Sequence, residues 1–144
     1  MRKKHDANEP RHTYMLCYPQ VIELIRLLAS PFEVQVSSFP KNEFPPDEIA
    51  DEIDHKCYIA ESFFKEGFIT INEYERIKLI NEKFKGFTKD DWTIKAMEKS
   101  LNWVQIREMA LKALEILRVD YARPNIYWYP LLSLKDGGKD GKDG

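Results

Sequence analysis

The strongest constraint on this chain is a stripe of six apolar residues, Trp103, Ile106, Ala110, Ala113, Leu114 and Leu117. Their spacings of three and four match one face of an α-helix and no strand. Such a face must be covered by other elements, so the chain has to supply further helices or a sheet. Ser100 or Asn102 can start this helix, and it stops near Arg118, ahead of Pro124.

The rest of the sequence offers mainly helices. Pro19 suits a first helical position, and Val21, Leu24, Ile25 and Leu28 follow at helical spacing. Ser30, Pro31 and Glu33 have the form of a capping box opening a short helix to about Ser38. The competing pattern there is a strand, since Phe32, Val34 and Val36 alternate with polar residues. Residues 41–46 form a loop with Phe44 buried or docked. Pro46, Asp47 and Glu48 then begin a long helix, with acids placed well against its N-terminal dipole. Its apolar line is Ile49, Ile53, Cys57, Ala60 and Phe64, and Gly67 is its natural stop. Thr70 and Glu73 form a capping box for a helix carrying Tyr74, Ile77, Ile80 and Phe84, which Gly86 ends. Thr93 can cap a short helix through Ile94 and Met97. These elements predict a mostly α fold, an irregular bundle of about five to six helices, with an extended C-terminal arm over residues 121–134. That arm is rich in aromatic and β-branched residues, so strand and coil both remain open for it.

The 144 residues suit one domain. Residues 1–13 are polar and interrupted by proline, and read as a disordered lead. Residues 135–144 contain only Lys, Asp and Gly and read as a flexible tail. The expected helical domain is therefore 14–134. A net charge of −2 supplies no global field for nucleic acid or membrane. No apolar run approaches the roughly 20 residues that span a bilayer, and no apolar stretch follows the basic start. Two cysteines are too few for a disulfide framework. Together these place the chain in a reducing cytoplasm.

Catalytic patterns are absent from the sequence. There is no Gly-x-Ser-x-Gly, and His5 and His12 fall in the polar lead. His55 and Cys57 are two apart, which on a helix puts them about 200° apart and out of reach. Glu52 and His55 form a Glu-x-x-His, the half-motif of bundle di-iron sites. The second copy, Glu9 to His12, contains a proline, so no metal site is expected. Four of the six glycines lie in the tail, which leaves no phosphate-cradling loop. Lys and Arg are scattered rather than striped, so direct nucleic-acid binding is not expected. The reading is a protein that is not an enzyme and needs no cofactor.

Two features point to binding instead. From Glu43 to Glu61 there are seven acids against one base, Lys56, a local charge of −6. Asp47, Asp51, Asp54, Tyr58 and Glu61 share one helical face, with Glu48, Glu52 and His55 beside them. A solvated helix start would also carry acids, but solubility is served by interspersed signs, and a concentrated anionic face attracts a basic partner. The second feature is the aromatic group Tyr121, Tyr127, Trp128 and Tyr129. Tyr and Trp are common binding anchors and equally common core residues.

The stretch from Asp91 through the Trp103 helix to Leu117, with Tyr18-Pro19, Leu28 to Glu33 and Gly67 to Glu73, resembles small helical bacterial immunity proteins. These belong to contact-dependent inhibition and other polymorphic-toxin systems. The resemblance covers about residues 18–118 and assigns no individual residue a role. It implies a cytoplasmic inhibitor that binds one cognate toxin domain, often a nuclease with a basic groove, and blocks its active site. Asp47, Glu48, Asp51, Glu52, Asp54, Tyr58 and Glu61 are the candidate contacts, with Tyr127, Trp128 and Tyr129 as further candidates. The alternative is a helical adaptor or regulatory module for another protein.

Overall fold

The computed structural model describes residues 2–41 and 43–128, with side chains from Pro10 onward. Six α-helices follow in order: α1 Arg2–Ala29, α2 Phe32–Ser37, α3 Pro45–Lys65, α4 Ile71–Lys85, α5 Ile94–Lys99 and α6 Leu101–Leu117. A 3-10 turn, Lys89–Asp91, precedes α5. No strand occurs among the described residues.

Helices α1, α3, α4 and α6 close a ring. α1 packs on α6 and α3, and α4 packs on α3 and α6. All six stripe residues of α6 are buried inside this ring. They meet Val21, Leu24, Ile25 and Leu28 of α1, Ile49, Ile53 and Ala60 of α3, and Ile77, Ile80 and Phe84 of α4 in one continuous core. The α3 line differs by one residue from expectation. Phe63 is buried, whereas Phe64 is half-buried and stacks on Tyr74 at 5.8 Å. From Ala60, both i+3 and i+4 lie on the inner face, and packing against Tyr14 selects Phe63.

The helix ends follow local chemistry. Thr70 and Glu73 make the reciprocal capping box, at 3.1 and 2.7 Å. Gly67 adopts a positive φ of 84°, which only glycine takes up without cost. It lets the Phe68 N–H reach back to the Phe63 carbonyl and close α3. At the end of α6 Arg118 adopts φ 62°, and Val119 N–H donates to the Leu114 carbonyl. A non-glycine residue there costs about 1 kcal/mol.

Two local expectations are corrected. α2 is a helix, but Ser30 does not cap it, because Pro31 is the N-cap residue and makes no side-chain cap bond. The Ser30 hydroxyl instead donates to the Arg26 carbonyl at 2.7 Å and pairs with the Tyr121 hydroxyl at 2.7 Å. Secondly, α1 begins at Arg2, so residues 2–13 are helical where a disordered lead was expected, and Pro10 and Pro19 lie inside the helix. The lead contains good helix formers, Arg, Lys, Ala and Glu, and each proline removes a single backbone N–H. From Tyr14 onward the helix is anchored by its rings. Tyr14 stacks on Tyr18 and Phe68 and meets Phe63 edge-on at 5.0 Å. Burial, then Tyr14 and Glu73 beside it, pushes the Tyr18 hydroxyl up to about 12.

After α6 the chain turns back along α1. Arg26 Nε donates to the Asp120 carbonyl at 3.0 Å, and Asn125 N–H donates to Glu23 at 2.8 Å. Ile126 and Trp128 are buried. The remainder of the expected arm, residues 129–134, and the tail 135–144 lie outside the described residues.

Candidate functional site

Helix α3 has two unlike sides. One carries Ile49, Ile53, Cys57, Ala60 and Phe63 into the core. Those positions force Asp47, Asp51, Asp54 and Tyr58 outward, where all four are exposed. Tyr58 is the most exposed large hydrophobic residue described, at 73%. Glu61 continues the ridge, partly exposed and 3.5 Å from Lys65. Asp54 accepts a hydrogen bond from the Asn81 amide at 3.0 Å and lies 4.0 Å from Lys85. Beside Asp47 and Asp51 the surface dips into an open hollow of about 270 Å³, bounded by Ala50 and the Trp92 ring. Two carboxylates and an aromatic face are the groups that a lysine or arginine side chain recognises.

Five of the seven α3 candidates therefore form one ridge. Glu48 is half-buried at its edge. Glu52 faces inward. Its Oε1 accepts from Lys56 Nζ at 3.0 Å and from Trp128 Nε1 at 3.0 Å. The Lys56 ammonium also lies 5.0 Å from the centre of the Trp128 ring. Lys56 is 2% exposed and Trp128 6%. These three side chains make a closed knot that holds Trp128 against α3. A buried lysine needs such an arrangement, because its charge is costly to strand away from water. Glu52 and Trp128, both expected as partner contacts, are thus engaged with one another inside the fold. The same knot sharpens the ridge, since the one base within it is hidden and the exposed acids have no cation of their own helix among them except Lys65.

The aromatic group separates in the same way. Tyr121 is tied to Ser30, Trp128 is buried, and Tyr127 is 44% exposed with its ring edge-on to Trp128 at 5.4 Å. Tyr129 lies outside the described residues. His55 is exposed while Glu52 turns inward, so the Glu-x-x-His pair does not converge. Among the described residues no three His, Cys, Asp or Glu side chains come together as metal ligands, and no helix is long and apolar enough to cross a membrane. The Cys57 thiol is pushed up by burial, against an opposing hydrogen bond from Asn81.

One polar centre escaped the sequence reading. Asp91, 7% exposed, accepts from Thr88 N–H at 2.9 Å, Ser100 Oγ at 2.9 Å, Asn102 Nδ2 at 2.9 Å and the Thr88 hydroxyl at 3.2 Å. Its backbone carbonyl accepts from the buried Trp103 indole at 2.9 Å. Burial alone would raise this carboxyl, but the converging donors outweigh it and hold it below the ordinary value. The available signal was Thr88-x-x-Asp91, a capping-box spacing with Asp in place of Glu.

No family model, curated protein or solved structure matches this chain.

Proposed function

We propose that the protein is an inhibitory binding partner of the immunity type. It would engage a basic, nuclease-like toxin domain through the α3 ridge and occlude that domain's active site. The observation that carries this reading is the ridge itself: Asp47, Asp51, Asp54 and Tyr58 lie exposed along one side of a helix whose other side is built into the core. A rigid helix presents the charges in fixed register, so little ordering entropy opposes binding. Carboxylates spaced one turn apart can take the place of substrate phosphates in a cationic groove. Tyr58 supplies a large apolar contact in their midst. Cytoplasmic residence is part of the same proposal.

The test is capture of partners by the tagged protein from its native cells, at low and high salt, with wild type and an Asp47→Lys/Asp51→Lys variant. A stoichiometric basic nuclease-like partner, lost at high salt and lost from the variant, is expected. Equal capture by the variant would remove the ridge from the interface. A partner of another class would favour an adaptor role.

A further inference from the structure

Two surfaces of this chain complement one another in charge and in apolar character. The first is the crest of the α3 ridge. Tyr58 stands 73% exposed, with Asp54 one turn before it and Glu61 one turn after it. The second is a hollow of about 220 Å³ between α4 and α6. Its apolar walls are Leu79 and Met109, and Arg76, Glu108 and Lys112 complete its lining. Leu79 remains 46% exposed, so the bundle itself does not fill the hollow. One surface therefore offers an aromatic ring between two anions. The other offers an apolar socket with two cations and one anion.

We infer that the α4–α6 hollow receives Tyr58 of a second copy of this chain, with that copy's Asp54 and Glu61 meeting Arg76 and Lys112. Charge complementarity selects this occupant: acids flank the ring and bases predominate around the socket. Competing pairs within one chain are weak. Lys112 lies 3.1 Å from Glu115, Glu61 3.5 Å from Lys65 and Asp54 4.0 Å from Lys85, all in exposed pairs that exchange readily, and the Asn81 amide bonds only Oδ1 of Asp54. Glu108 opposes the incoming acids, but it is one anion against two cations. A single ridge-to-hollow contact between two copies is heterologous. Each such pair leaves one ridge and one hollow open, so association runs on into short chains. A socket for one side chain is small beside the roughly 800 Å² per partner of a standard interface, so the equilibrium is weak and depends on concentration.

Sedimentation velocity of the protein alone tests this, and its result does not depend on the toxin reading. Wild type at low salt should sediment faster as its concentration rises. It should return to the monomer value in about 1 M salt, where the Debye length falls to about 3 Å. Tyr58→Ala and Leu79→Glu, both at exposed positions, should each remain monomeric with unchanged helicity by circular dichroism. Mixed in equal amounts they should form a dimer and nothing larger, because one supplies an intact hollow and the other an intact ridge. Arg76→Glu, which leaves the apolar walls in place, should behave as Leu79→Glu does. A wild type that stays monomeric at every concentration would overturn the inference. So would association that survives in any of these variants, or a mixture that fails to pair.

Discussion

Asp91 and the aspartates of the α3 ridge are the same residue in opposite conditions. Asp91 is buried and accepts four hydrogen bonds from Thr88, Ser100 and Asn102. Asp47 and Asp51 are exposed on the wall of an open hollow. The first carboxylate has satisfied its acceptor capacity inside the fold and stabilises it. The second pair keeps its capacity facing outward, where only solvent or another molecule can meet it. Between these extremes lies Asp54, exposed yet bonded to the largely buried Asn81. Acid count along a sequence therefore says little about binding until each acid's own partners are known.

The largest expected effect follows from the Asp91 end. Asp91→Ala leaves the Thr88 N–H and the Ser100 and Asn102 donors without their acceptor at a buried site, and should cost about 3 kcal/mol of stability in urea titration. The same centre sets a pH dependence. The folded carboxyl titrates below its unfolded value, so its contribution is complete above about pH 4 and is lost as pH falls through the folded value. Wild-type urea midpoints should fall with acidification in that window, and Asp91→Asn should flatten the fall. An equally steep fall in that variant would move the titration to other carboxyls.

The contrast also explains what could be read from the sequence. The α6 stripe was legible in full because six apolar residues at one period leave a single inner face. The Thr70 and Thr93 caps were legible because they act within three residues. Phe63 in place of Phe64 was not, because helical spacing permits both and a distant ring, Tyr14, decides. Ser30 failed as a cap for a similar reason, since its hydroxyl goes to Tyr121, 91 residues away. For the ridge, the shared face of Asp47, Asp51, Asp54, Tyr58 and Glu61 was legible from spacing alone. The inward turn of Glu52 was not, because it depends on Trp128, 76 residues further on.

The Glu52–Lys56–Trp128 knot gives the next prediction, an inequality. Glu52→Gln leaves a buried ammonium without its anion and should cost about 2–3 kcal/mol. Lys56→Met removes the charge, keeps an unbranched apolar stem, and leaves Glu52 its bond from Trp128; it should cost about 1 kcal/mol or less. Paired urea titrations decide this. If Lys56→Met proved the more damaging, the knot would be held chiefly by the lysine's contact with the Trp128 ring rather than by its charge pairing.

The smallest effects belong to the ridge, and there the distinction between spent and open carboxylates is finest. Asp51→Lys removes an exposed acid one turn from Asp47 and so relieves a like-charge pair; stability should change by no more than about 0.5 kcal/mol. Asp54→Lys also takes an acceptor from Asn81, which is only 7% exposed, and should cost about 1 kcal/mol. Thermal denaturation of the two variants side by side measures the difference. Equal midpoints would mean that water replaces Asp54 at the Asn81 amide without loss, and that Asp54 is as open as its neighbours. A gap of the expected size would make Asp51, not Asp54, the position at which lost binding reports the ridge's charge rather than its folding.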